Sequence, residues 1–164
     1  MQKSLLVLFI STLLLSGCTT EQTAETPFYG MWNLHVMEQQ NPDTGDWGIW
    51  RNGMQGHILY TNDGYMSVHL TTLGYENTQL RFPNFTDTIS TAALKYLTNS
   101  YVYVAKYTVY EDESVVQHAR ISHSNPGEWN AVVRRRYQFK GDTLILSPEE
   151  EQNSSLRLKW VKAK

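Results

Sequence analysis

Disulfide bonds, a basic surface and familiar enzyme signatures are all missing from this sequence. Its single cysteine, Cys18, excludes a disulfide within the chain. The formal charge of −2 provides no excess of basic residues, so we expect no nucleic-acid partner. No Gly-x-Ser-x-Gly, phosphate-loop or zinc-enzyme spacing occurs. The sequence therefore predicts no metal and no cofactor, and no motif assigns an enzyme class.

Apolar runs long enough to cross a bilayer are also missing. The longest, Leu5–Leu15, is short for a membrane span, and it follows the single basic residue Lys3. A basic residue followed by a short apolar run is typical of a secretion signal. The alternatives are an ordinary signal peptide and an anchor helix, with Cys18 incidental in either case.

The end of this run, Leu15-Ser16-Gly17-Cys18, resembles the bacterial lipobox. The resemblance implies a lipoprotein signal peptide over 1–17 and lipidation of Cys18, which becomes the mature N-terminus. The polar segment 18–27 then reads as a tether to a palmitate-type membrane anchor. Because Thr19 and not Asp follows the cysteine, analogy with bacterial lipoproteins favours the outer membrane of the cell envelope.

Residues 56–70 have the pattern of a β-hairpin. The sequence Asn-Asp-Gly at 62–64 is a turn signal between two runs rich in β-formers. A three-residue loop places Gly64 in the left-handed conformation and pairs His57 with His69. One face of the hairpin then becomes mostly apolar, and we expect it to point to the core. That face consists of Ile58, Tyr60, Met66, Val68 and Leu70.

Further strand patterns follow in sequence, with no convincing βαβ unit. Eight antiparallel strands can close into a barrel without exposed edges, so we predict an all-β, eight-stranded up-and-down barrel over 28–164. A two-sheet sandwich is the alternative. A short helix is expected between strands three and four, capped by Thr86 or Asp87. The strands are predicted at 30–37, 56–61, 65–70, 101–110, 115–122, 131–139, 143–147 and 156–161.

Connection lengths predict which end of such a barrel is open. In an up-and-down barrel successive connections alternate between the ends, and here short turns alternate with long loops. The aromatic residues of the long loops would border a ligand entrance, or else would fill the barrel. The long loops are 38–55, 71–100, 123–130 and 148–155, and they carry Trp47, Trp50, Tyr75, Phe82, Phe85, His123 and Trp129.

An ordered set of motifs runs through most of the chain. It comprises Gly30-x-Trp32, Gly56-x-Ile58-x-Tyr60-Thr61, Gly64-Tyr65-Met66-Ser67-Val68, Tyr103-x3-Tyr107, Val116-x-His118 and Arg135-x-Tyr137-x-Phe139-x-Gly141-Asp142-x-Leu144. With these motifs the chain resembles the bacterial lipocalin-like domain family, a relative of the calycin barrels. The resemblance covers about residues 28–162. It implies a calycin-like barrel with a cavity, but no single activity.

The same resemblance implies a structural role for Trp32. In calycins the Gly-x-Trp tryptophan lies at the closed end of the barrel, packed under a basic side chain. The expected cation here is Arg135, Arg157 or Lys159, which would stabilise the ring contact by ~0.5–2 kcal/mol.

Three histidines are candidates for chemistry. His57 and His69 would face each other across the hairpin, close enough to share a metal, although an exposed pair without metal is favoured. His118 reads either as a buried, hydrogen-bonded residue or as a polar group of the cavity.

Arg135 is the candidate charge of the interior, because it lies between the inward positions Val133 and Tyr137. A buried guanidinium needs a partner, which would be an internal carboxylate, Trp32 or an acidic ligand head group. The acidic run 149–151 reads as a solvated loop.

We therefore expect a lipid-anchored envelope protein whose barrel binds a small, largely apolar ligand. Trp47, Trp50 and Trp129 would border the entrance, with His118 and Arg135 as polar groups inside. One alternative is an isomerase or cyclase that uses His118 with a tyrosine. Another is a structural lipoprotein whose aromatic loops contact an envelope partner, which would have a collapsed cavity and an exposed apolar rim.

Overall fold

The computed structural model describes residues 26–78, 89–150 and 155–164. Nine strands and one α-helix make up this part of the chain. Three short 3₁₀ segments occur at 75–78, 111–113 and 126–128. The strands are β1 (Gly30–Gln40), β2 (Trp47–Ile49), β3 (Met54–Tyr60), β4 (Tyr65–Thr72), β5 (Tyr101–Tyr110), β6 (Val115–His123), β7 (Val132–Lys140), β8 (Thr143–Pro148) and β9 (Leu156–Lys162), and the helix is α1 (Thr91–Asn99).

The strands close into an antiparallel barrel. β1 and β3 to β9 each pair with their neighbours in chain order, and β1 then pairs with β9 over Trp32 to Gln39. The predicted eight-stranded barrel is therefore confirmed, and the sandwich is excluded. The three-residue β2 lies in the long loop after β1 and pairs only with the end of β1.

The β3–β4 hairpin has the predicted register. His57 pairs with His69 and Ile58 with Val68, while Gly64 adopts a φ of +86° in the turn. The predicted apolar face points inward, where each of its members is at most 6% exposed. Alternation of apolar and polar residues thus fixed both the register and the inner face.

The two ends of the barrel differ as the connection lengths predict. Short turns link β3 to β4, β5 to β6 and β7 to β8 at one end, and all long connections lie at the other. Helix α1 is in one of these long connections, between the third and fourth strands of the barrel proper. Its N-cap is Ser90, whose side chain accepts a hydrogen bond from the Ala93 amide. The prediction of Thr86 or Asp87 as the cap falls outside the described residues.

An aromatic plug fills the short-turn end. Phe28 is fully buried and contacts four other aromatic rings, with centroids 5.0–6.3 Å away. Trp32 donates its indole N–H to the Phe28 carbonyl at 2.8 Å. The cation over Trp32 is Lys162, with Nζ 5.4 Å from the ring centroid. The aromatic plug consists of Phe28, Tyr60, Tyr107, Tyr137 and Phe139.

The prediction of Arg135, Arg157 or Lys159 as that cation is wrong. Arg135 and Arg157 belong to the opposite half of the barrel, where they pair with carboxylates of their own. Lys159 contacts Glu38 at 2.9 Å. Lys162 pairs directly with Trp32 in the β1–β9 ladder, and this register places the lysine side chain near the indole ring.

Within the described residues, no helix is both long enough and apolar enough to span a bilayer. The signal peptide over 1–17 and the lipidation of Cys18 lie outside those residues and stay predictions.

Candidate ligand cavity

A cavity of about 270 Å³ lies inside the barrel, between the aromatic plug and the long-loop end. Its size is close to the lower end of the range for small-molecule pockets, roughly 300–1,000 Å³. Trp50, Arg51 and the end of α1, Thr98 to Ser100, border the mouth. The walls are mainly apolar and consist of Met37, Met54, Ile58, Val68, Leu70, Leu146, Leu156, Leu158 and Trp160.

His118 is the central polar group of the cavity wall. It lies on β6 with its side chain turned inward and is only 1% exposed. Its Nδ1 is 2.8 Å from the Tyr103 hydroxyl and its Nε2 is 3.1 Å from the Tyr60 hydroxyl. Tyr103 lines the cavity, whereas Tyr60 belongs to the aromatic plug. Both readings made for His118 therefore hold, since it is buried and also faces the cavity.

Burial decides the protonation states of Tyr60, His118 and Tyr103, which form a hydrogen-bonded trio. Desolvation lowers the pKa of His118 to about 3, and the positive charges of Arg135 and Arg120 act in the same direction. Desolvation raises the pKa of both Tyr60 and Tyr103 well above the usual value. At neutral pH all three groups are therefore uncharged.

Arg135 is the charged group deeper inside the cavity, below Arg51 at the mouth. Its side chain is 14% exposed, and Nη1 donates to both carboxylate oxygens of Glu150 at 2.7 Å. Of the partners considered from the sequence, an internal carboxylate is the one present. Of the acidic run 149–151, read as a solvated loop, Glu149 and Glu150 are partly exposed and ion-paired, Glu149 with Arg134 and Arg136. Glu151 lies outside the described residues.

Sequence reasoning missed a second interior ion pair. Arg120 is 4% exposed, contacts Glu128 and donates to the Tyr101 hydroxyl. The alternation of Val116 and His118 on β6 already points Arg120 inward, so the signal was available. Alternation does not predict the β-bulge that follows Arg120. This bulge turns His123 inward as well.

Two buried nitrogen donors close to this ion pair have no acceptor in the described part of the chain. They are Nε of Arg120 and Nε2 of His123. Nδ1 of His123 accepts a hydrogen bond from the Asn125 amide at 2.8 Å, so the neutral ring has its proton on Nε2. Burial, and then the Arg120 charge, lowers the pKa of His123.

The sequence matches a known protein family. The sequence model of the lipocalin-like domain family matches residues 29–163. The chain belongs to this family. No curated protein matches it. Among solved structures, a redesigned beta barrel is 13% identical, with 84% of this chain and 92% of that chain covered and a TM-score of 0.41.

The three tryptophans expected at the entrance of this lipocalin-like barrel have different surroundings. Trp50 lines the cavity and lies under the Arg51 guanidinium, 4.1 Å from its ring centroid. Trp47, on β2, stacks on Arg157 at 3.8 Å outside the cavity lining. Trp129 is 53% exposed and donates its indole N–H to the His123 carbonyl. The structure thus brings Trp50 together with His118 and Arg135.

His57 and His69 lie opposite each other on the outer surface of the lipocalin-like barrel. Nδ1 of His57 is 2.8 Å from Oδ1 of Asn33. Within the residues the structure describes, no group of three or more potential metal ligands occurs. The pair therefore has no third protein ligand there with which to build a metal site.

Proposed function

We propose that this lipocalin-like barrel binds a small, largely apolar molecule. The observation that carries the proposal is the cavity itself, an apolar chamber with a few convergent polar groups and a mouth beside Trp50 and α1. Pre-formed apolar pockets with few polar groups are typical of small-molecule sites. The aromatic plug closes the opposite end, so a ligand would enter past Trp50 and α1.

Proton-transfer catalysis is less well supported. A general acid or base works best when its pKa is close to the working pH. Burial lowers the pKa of His118 to about 3 and raises that of Tyr103, so neither exchanges protons readily near pH 7. The trio is better suited to fixed hydrogen bonds than to an isomerase or cyclase reaction.

A partner-binding role has one supporting observation, the exposed apolar side chains around the mouth. Ile49 is 67% exposed, Leu73 65% and Leu97 45%. Such a rim would suit contact with an envelope protein. A collapsed cavity was part of that hypothesis, however, and the open chamber favours ligand binding.

We further propose that the protein is anchored to the bacterial outer membrane through a lipid on Cys18. The chain enters the barrel at the short-turn end, where Phe28 is buried and Gly30 pairs with Tyr60. A tether from Cys18 would therefore hold the closed end toward the membrane and leave the mouth facing away. Cys18→Ala should move the protein from the membrane fraction to the soluble fraction and abolish incorporation of labelled palmitate. Unchanged fractionation and labelling would contradict the anchor.

Native mass spectrometry of the purified protein tests the binding function. We expect a co-purifying molecule of low mass, or else uptake of the neutral apolar probe N-phenyl-1-naphthylamine. Val68→Trp fills the cavity from β4 and should abolish both. Leu59→Trp is the matched control, because Leu59 is 41% exposed on the outer face of the neighbouring strand. A wild-type protein that contains no molecule and takes up no probe would refute the proposal.

A further inference from the structure

Inside its mouth, the cavity offers several hydrogen-bond donors to a guest. Three lining residues supply them: Tyr103 through its hydroxyl, Arg135 through its guanidinium and Trp160 through its indole N–H. Nε1 of Trp160 is buried and has no acceptor in the described part of the chain. A ligand that satisfies such a wall must carry acceptors, because a buried donor left unpaired is costly.

The hydrogen-bonded trio fixes the direction of the Tyr103 hydroxyl. Neutral His118 has one donor nitrogen and one acceptor nitrogen. Tyr60 is fully buried outside the cavity lining, and within the described residues its hydroxyl has only His118 as a partner. Tyr60 must therefore donate to Nε2, so Nδ1 holds the ring proton and donates to Tyr103. The Tyr103 hydroxyl then has its own proton free to donate into the cavity.

Arg135 adds a positive charge to the same cavity wall. Arg135, Tyr103 and His118 all line this one cavity, and the charge of Arg135 lowers the pKa of both other groups. Its Nη1 is occupied by Glu150 and by the Arg134 carbonyl. Within 26–78, 89–150 and 155–164, no acceptor is found for its Nε or Nη2. A guanidinium edge of this kind matches a carboxylate through two parallel hydrogen bonds.

The carboxylate of Glu150 shows that this position of the barrel accepts an anion. Glu150 is 29% exposed, so water can solvate it if a ligand weakens its contact with Arg135. A ligand anion would bind either beside Glu150 or in its place. In both cases the negative charge of Glu150 opposes an anionic ligand and leaves a neutral one largely unaffected.

From this arrangement we propose that the cavity selects a monocarboxylate with an apolar tail, whose carboxylate is bound by Arg135 and the Tyr103 hydroxyl. The inference rests on the proposed binding function and names the class of ligand. The apolar walls would contact the tail, and the donors would face the carboxylate.

Matched ligands that differ only in the head group test the inference by calorimetry. We expect decanoate to bind at least about tenfold more tightly than 1-decanol, the difference expected for charge-assisted hydrogen bonds. Arg135→Gln should abolish this preference, and Tyr103→Phe should reduce it. Glu150→Gln should raise the affinity for decanoate and leave that for decanol unchanged. Arg136→Gln is the matched control, since the side chain of Arg136 is 70% exposed.

Failure of the head-group inference can be distinguished from failure of the binding function. Equal affinities for decanoate and decanol, or unaltered decanoate binding by Arg135→Gln, would overturn the inference while the cavity still binds. If neither ligand nor N-phenyl-1-naphthylamine binds to the folded wild type, the binding function itself fails. Should the variants not fold, NMR of carboxyl-labelled decanoate on the wild type decides. A carboxylate at Arg135 should stay ionised below the pH at which free decanoate protonates, and an unchanged titration would overturn the inference.

Discussion

The Tyr103 hydroxyl on β5 lies 2.8 Å from Nδ1 of His118 on β6, although the strand register pairs Tyr103 with His123. The second ring nitrogen of His118 reaches Tyr60 on β3. One imidazole thus connects three strands through side chains, inside a wall otherwise held by backbone hydrogen bonds. Because each member is buried, the loss of one hydroxyl leaves a polar atom without a partner.

Removal of the Tyr60 hydroxyl should destabilise the barrel. Tyr60→Phe keeps the ring in the aromatic plug but leaves His118 Nε2 buried without a donor. We expect the free energy of unfolding to fall by about 1–3 kcal/mol in urea denaturation. Tyr65→Phe, at an outward-facing position that is 39% exposed, should change it by less than about 0.5 kcal/mol. Equal effects of the two variants would contradict the role of the buried bond.

The depressed pKa of His118 predicts acid sensitivity. Its folded value is about 3 against 6.5 in the unfolded chain, so only the unfolded chain binds this proton between those pH values. The stability due to neutral His118 is therefore complete above pH 6.5 and is lost as the pH falls toward 3. At pH 5 the loss amounts to ~2 kcal/mol, from about 1.4 kcal/mol per pH unit over 1.5 units.

Urea denaturation at pH 7.5 and pH 5 measures this effect. The wild type should lose ~2 kcal/mol more than His118→Gln over that interval, since the amide does not titrate. NMR of the imidazole nitrogens gives an independent reading, in which His118 stays neutral at pH 5. Protonation of His118 near pH 6.5 in the folded protein would contradict the prediction.

The alternation of apolar and polar residues along each strand explains why much of this fold can be predicted from the sequence. The hairpin register and the inward direction of Arg135 follow from strand period and turn residues alone. The closure of β1 on β9 is also expected, because it removes the exposed edges of an antiparallel sheet. Neighbouring residues in the chain therefore determine register and facing, whereas closure follows from the general instability of exposed strand edges.

The partners of the interior charges were not predicted, because they depend on loop conformation. Glu150 lies two residues after Pro148, the β8 partner of Arg135, while Glu128 follows β6 and contacts Arg120. No periodic pattern extends through these connections. The bulge after Arg120 likewise brings His123 inward, where strict alternation would place Ser122. Register shifts and loop contacts therefore account for the missed residues.

Phe28 should be essential to the barrel although it precedes the first strand. Its ring is fully buried among the four other aromatic rings of the plug, so Phe28→Ala creates a cavity at the closed end. We expect a loss of about 3–5 kcal/mol in the free energy of unfolding. Tyr29→Ala, next to it and 37% exposed, should cost much less. Similar losses for both would show that Phe28 does not act through packing.

Gly56 should tolerate no side chain, since β3 and β4 approach closely at this point. A Cβ built there would lie 1.9 Å from the His69 carbonyl oxygen, and the φ of +147° adds backbone strain for any other residue. Relief would need separation of two paired strands that form part of the cavity wall at Ile58 and Val68. We therefore expect Gly56→Ala to lower the thermal midpoint by several degrees and to weaken probe binding.

Gly48→Ala is the matched control for that substitution. Gly48 lies on β2, where an added Cβ meets no atom within 4 Å and the φ is not in the left-handed region. The thermal midpoint of the Gly48→Ala variant and its uptake of N-phenyl-1-naphthylamine should match those of the wild type. If Gly56→Ala behaves in the same way, the two strands can separate without cost, and the cavity wall is more adaptable than the β3–β4 ladder implies. A loss in both properties for Gly56→Ala alone ties ligand uptake to the close packing of this hairpin.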